Sequence, residues 1–114
     1  MKSYKNSQNI FKEALNLLPG GVNSPVRAFK SVDGDPIVMK KGFGPYLFDV
    51  DDNKYIDYVL SWGPLVLGHS HPDVVSSLHK VITQGTSYGA PTEIENKLAN
   101  FIISKIVHCF ILFV

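Results

Sequence analysis

Along residues 7–18 the apolar positions Ile10, Phe11, Ala14, Leu15, Leu17 and Leu18 recur at a spacing that gathers most of them on one helical face. Pro19-Gly20-Gly21 stops that helix, and the chain stays polar and turn-rich to Asp33-Gly34-Asp35-Pro36. Three short runs follow, residues 37–40, 46–50 and 55–60, divided by Gly42-Phe43-Gly44 and by Asp51-Asp52-Asn53. Tyr46, Phe48 and Val50 alternate with Leu47 and Asp49, so the runs predict a small antiparallel meander joined at those two breaks. Ser61-Trp62-Gly63-Pro64 is too rich in turn residues to prolong a strand and reads as a loop, followed by the brief apolar run Leu65 to Gly68. A second helix opens at Pro72, where a missing N–H costs nothing; its stripe is Val74, Val75, Leu78, Val81 and Ile82, and Gly85 is its stop. After a second loop of small residues, Thr92-Glu93-Ile94-Glu95 has the spacing of a capping box, and a third helix follows with Ile94, Leu98, Phe101, Ile102 and Ile106.

The run from Val107 to Val114 breaks this order, being apolar without a turn signal or a polar alternation. It reads either as a buried strand or, left without a partner, as a sticky β-prone tail; a membrane anchor needs about 20 apolar residues. At 114 residues, with 45% hydrophobic and 18% charged positions, the chain allows one modest core. A net charge of +1 with no basic run argues against a nucleic-acid partner. The lone Cys109 forms no internal disulfide, and the first residues carry neither a secretory nor a transit pattern, so the cytoplasm is the expected compartment.

Arg27 is the first candidate for chemistry. Two glycines, Pro25 and the extended Ser24 before it make a stiff loop, and a guanidinium held there can meet a carboxylate with two parallel hydrogen bonds. The plainer alternative is a helix stop followed by a surface arginine. Trp62 offers a flat face from a loop, suited either to walling a pocket or to anchoring the meander, and Tyr88 with Thr86-Ser87 poses the same choice. His69, His71 and His79 have no recognised zinc spacing, so helix entry and packing are expected of them and no metal site. No glycine-framed nucleophile is present, Cys109 lies in apolar surroundings, and Gly42-Phe43-Gly44 joins strands rather than opening a phosphate-binding helix.

Pro19 to Phe29, Tyr46 to Asp51, Tyr55 to Tyr58, Ser61-Trp62-Gly63-Pro64, Gly68 to Pro72 and Gly85 to Glu93 together resemble the N-terminal part of the glutamate-1-semialdehyde 2,1-aminomutase family. That family lies within the class III pyridoxal-phosphate aminotransferases. The resemblance covers about residues 3–107. It implies an α+β segment of a fold-type I transferase (helix, small meander, two helices), with the large cofactor domain missing. It also implies conversion of glutamate 1-semialdehyde to 5-aminolevulinate for tetrapyrrole synthesis, pyridoxal 5'-phosphate as cofactor, and a homodimer at full length, with no nucleic-acid or membrane partner. Residue by residue, Arg27 matches the arginine that holds the substrate carboxylate, Ser24 a serine beside it, and Trp62 the tryptophan lining the substrate channel. No catalytic, cofactor-binding or metal-binding residue is carried over, because the Schiff-base lysine and the serine-glycine-threonine phosphate segment have no counterpart here. Residues 108–114 depart from the family pattern, and Asp52 stands where a glycine is usual. A truncated or frame-shifted product is therefore expected, divided into residues 1–107 and the divergent tail 108–114. The rival readings are another class III aminotransferase and a non-catalytic interaction fragment.

Overall fold

The computed structural model describes residues 2–106. The apolar run from Val107 and its cysteine lie outside them. The elements are α1 (Lys5–Leu17), β1 (Met39–Phe43), β2 (Tyr46–Asp49), β3 (Lys54–Ile56), α2 (Pro72–Val81) and α3 (Glu93–Lys105), with single tight turns at Pro19–Gly21 and Pro25–Ala28. The α+β character and the three-helix, three-strand order match the sequence reading. The chain divides into two compact units between Ser76 and Ser77.

In the first unit, β1, β2 and β3 form an antiparallel sheet in that order, with Leu47 opposite Gly42 on one side and Tyr55 on the other. Two expectations need correction. The first strand runs on through Gly42 and Phe43, so the turn falls at Gly44-Pro45; the third ends at Ile56 rather than Leu60, because the Asp57 carboxylate draws the next amides into a turn. The larger finding concerns Asp49, which the alternation sets on the same side of β2 as Leu47: it is fully buried, while Tyr46, Leu47 and Phe48 are half-buried. Asp49 Oδ1 accepts from the N–H groups of Asp51 (2.9 Å) and Asn53 (2.8 Å), and Oδ2 from Asn53 Nδ2 (2.8 Å) and the Tyr55 hydroxyl (2.7 Å). Burial by itself would raise its pKa, but these hydrogen bonds outweigh it and hold the carboxyl below the ordinary range.

Helix α1 begins without a local side-chain cap. Asp51, from the turn after β2, supplies one by accepting from Asn6 N–H (2.8 Å) and Ser7 N–H (2.9 Å), which places a negative charge at the positive end of the helix. The buried Ser7 hydroxyl in turn accepts from Val38 N–H at 3.2 Å. A polar staple thus fixes helix to meander. At its other end, α1 stops at Leu18, and Gly21 follows with φ 71°; a Cβ there would lie 2.6 Å from Phe11 Cε2, so only glycine lets the turn close over Phe11.

In the second unit, Gly85 follows a tight turn at Ile82–Gln84, as the sequence predicts for a stop. Glu95 Oε1 reaches back to accept from both the Thr92 N–H (3.0 Å) and the Thr92 hydroxyl (2.8 Å), closing the N-terminus of α3. The predicted apolar stripes form, but they stay open: Leu78 is 57% exposed and Phe101 61%. Among the described residues, the buried side chains are the polar Ser7, Asp49 and Asp57, and no apolar side chain is fully covered. Among the described residues, full burial is thus reached by hydrogen-bonded polar side chains and not by the modest apolar core expected from chain length.

Candidate functional site

Ser24 has the extended backbone expected of a residue before proline (φ −149°, ψ 124°) and accepts from Arg27 N–H at 3.0 Å, closing the turn Pro25–Ala28. The side chain of Arg27 donates from Nη1 to Asn23 Oδ1 at 2.9 Å. Among the described residues no carboxylate forms an ion pair with Arg27, so the rest of its exposed fork is available to a ligand. Arg27 and Asn23 form the polar edge of a cleft of about 510 Å³ whose apolar lining comes from α1 and residues 36–39, including Phe11, Ile37 and Met39. Asn23 was not singled out by sequence reasoning as a partner of the arginine; its position four residues before Arg27 on a tight turn is the signal that could have found it.

Trp62 does not line that cleft. It is 76% exposed, on the loop between β3 and α2. That exposure decides against the meander-anchor alternative within this chain. Leu60, Ser61 and Trp62 all have left-handed backbone (φ 52°, 51° and 68°), followed by Gly63 at 111°. Each such non-glycine residue costs about 1–2 kcal/mol, so three in succession need support from their surroundings. The support starts at Asp57, which is buried and accepts from Val59 N–H (2.8 Å) and Leu60 N–H (3.1 Å) while its Oδ2 meets His69 Nε2 at 2.7 Å. The His69 hydrogen bond and the two amides hold the Asp57 carboxyl below its ordinary range. His69 thus packs, as the histidine reading expects, and its partner is a carboxylate that sequence spacing did not reveal. His71 sits at the entry to α2, where its Nδ1 accepts from Asp73 N–H at 3.3 Å.

The described residues do not by themselves fit a pyridoxal-phosphate site. All ten lysines are exposed, and none lies in a buried apolar pocket of the kind that activates a Schiff-base lysine. At the start of α3 the Thr92 N–H is already taken by Glu95, so that helix end offers no free cradle at its cap.

A helix, an arginine turn and a three-stranded meander, in this order, are the N-terminal portion of a transaminase fold. The chain resembles a solved "Transaminase with PLP bound", with a TM-score of 0.80 and 29% identity over 91% of this chain and 24% of that one. A glutamate-1-semialdehyde-aminomutase structure from Pseudomonas aeruginosa PAO1 shares the fold at a TM-score of 0.75, with 20% identity over 89% of this chain and 22% of that one. The sequence model of "Aminotransferase class-III" matches residues 29–109, and the chain belongs to that family. Among curated relatives, glutamate-1-semialdehyde 2,1-aminomutase of Bacillus subtilis (strain 168) is 63% identical over 106 residues, which is 93% of this chain and 25% of the relative. An aminomutase of Macrococcus caseolyticus (strain JCSC5402) is 60% identical over 103 residues, 90% of this chain and 24% of the relative. The chain therefore spans about a quarter of the length of these relatives.

Proposed function

We propose that this chain is the N-terminal segment of a glutamate-1-semialdehyde 2,1-aminomutase, in which Arg27 binds the substrate carboxylate. The observation that carries the reading is the 63% identity over 106 residues with a relative of that name. In the full-length protein, Arg27 orients the substrate through its guanidinium fork, Ser24 keeps the turn closed behind it, and Trp62 walls the substrate channel. Pyridoxal phosphate, held by residues outside this chain, supplies the electron sink for moving an amino group between neighbouring carbons. The full-length protein is expected to be a cytoplasmic homodimer, and the 114-residue chain by itself to be inactive.

The deciding experiment is steady-state kinetics on the full-length protein carrying this segment. Arg27→Lys keeps the charge but loses the fork, and KM for glutamate 1-semialdehyde should rise by about tenfold or more, a loss of ~1.4 kcal/mol. If Arg27→Lys and Arg27→Ala both stay within about twofold of the parent in kcat/KM, the carboxylate role is wrong. Turnover that depends on an added amino donor and acceptor would favour an intermolecular class III transaminase instead.

A further inference from the structure

Both ends of the loop that carries Trp62 are tied to one turn of the meander. Asp57 N–H donates to Pro45 O at 2.9 Å, and His69 exchanges two backbone hydrogen bonds with Gly44, each 2.9 Å. Across the loop base, the Asp57 carboxylate joins His69 Nε2 to the amides of Val59 and Leu60, the residues that lead into the left-handed run. The run itself is closed by Trp62 N–H to Val59 O (2.9 Å) and Gly63 N–H to Leu60 O (3.0 Å). The exposed indole leaves from the apex of this run, so the backbone sets the direction of its Cα–Cβ bond. The ring of His69 lies on Gly42, where a Cβ would collide with Cγ and stand 2.6 Å from Nδ1. A glycine inside a strand is otherwise unfavourable, and a close approach of this kind is the usual reason for one.

We propose that Asp57, His69 and the bare backbone of Gly42 form a positioning device that holds Leu60–Trp62 in its left-handed conformation and so sets the direction in which the Trp62 side chain leaves the loop. Left-handed runs of ordinary residues persist only where the surroundings over-determine them, and this clasp is the group of contacts that does so. Releasing it returns Leu60 and Ser61 to right-handed or extended backbone and swings the indole away. The assignment of a substrate-facing role to that indole rests on the proposed function; the clasp itself does not.

Trp62 is the chain's one tryptophan, so 5-fluorotryptophan labelling gives a single-site ¹⁹F signal. The parent should show one resonance displaced from that of free fluorotryptophan. Asp57→Ala, which removes the acceptor, and Gly42→Ala, which displaces the His69 ring without touching the loop, should both move it toward the free value. Protection of the Asn53 amide, held by Asp49 in a separate cluster, reports whether each variant keeps its fold. A resonance unmoved in either variant, or moved only when Asn53 protection is also lost, overturns the proposal. In the full-length protein the same two variants should raise KM by about three- to tenfold with kcat within about twofold. A moved resonance with unchanged KM would uphold the clasp and count against placing the substrate at Trp62, which separates failure of one idea from failure of the other.

Discussion

Asp52 occupies the tight turn between β2 and β3 with φ 62°, a conformation that glycine adopts freely and an L-residue does not. Its N–H donates to Asp49 O at 3.1 Å, and its carboxylate forms an exposed pair with Lys40 at 3.2 Å. Replacing it with glycine has two opposing effects. Relief of the left-handed backbone contributes about 1 kcal/mol, the low end of the usual range because aspartate tolerates this region better than most residues. Losing the pair costs little. With the two side chains 53% and 78% exposed, its worth lies at the weak end of the ~0–1 kcal/mol typical of surface pairs, and about 1 M salt screens it further. Asp52→Gly should therefore stabilise the turn by roughly 0.5–1 kcal/mol, most clearly in high salt, while Asp52→Asn, which keeps a side chain and loses only the charge, should change little. Hydrogen exchange at the Asn53 amide measures local opening of this turn without requiring the whole chain to unfold at once. After correction for intrinsic rates, the expected gain is ~2–5-fold in protection. A loss of protection in Asp52→Gly at high salt would refute the reasoning, because it would mean that the aspartate side chain makes a contribution larger than the backbone strain.

Further outcomes follow from the hydrogen-bonded carboxylates, from Tyr55 and from Gly21. The carboxyls of Asp49, Asp51 and Asp57 all lie below their ordinary range when folded, so their stabilisation is complete above about pH 4 and is lost as pH falls through the folded values. Ser7 amide protection should fall steeply in that acid window, and a profile flat from pH 6 to pH 2 would contradict it. Tyr55 is pushed up, by burial first and then by its hydrogen bond to Asp49, so the opposite limb appears as pH rises above about 10. Gly21→Ala combines a left-handed backbone with a Cβ 2.6 Å from Phe11 and should cost about 2–4 kcal/mol, read as a loss of ~30-fold or more in protection of the Leu18 amide. Protection within twofold of the parent would show that Phe11 moves aside freely.

The sequence by itself determined whatever is local in cause. Pro72 and the Thr92–Glu95 pair announced two helix starts, Gly20-Gly21 and Gly85 two stops, and Pro25 set the extended Ser24 that opens the arginine turn. Arg27 was legible as a candidate, beside the plainer reading of a surface arginine, because stiff turn chemistry and a guanidinium lie within a few residues of each other. Tertiary structure decided what joins distant residues. The cap of α1 comes from Asp51, some 45 positions away, and no spacing rule reaches that far. Period-2 alternation sets Asp49 on the side of Leu47 but says nothing of its burial; it is buried because Asn53 and Tyr55 fold back to supply donors that water would otherwise provide. The pairing of Asp57 with His69, and the left-handed backbone at Leu60 and Ser61, likewise depend on the loop closing against Gly44, since neither residue type favours that conformation on its own.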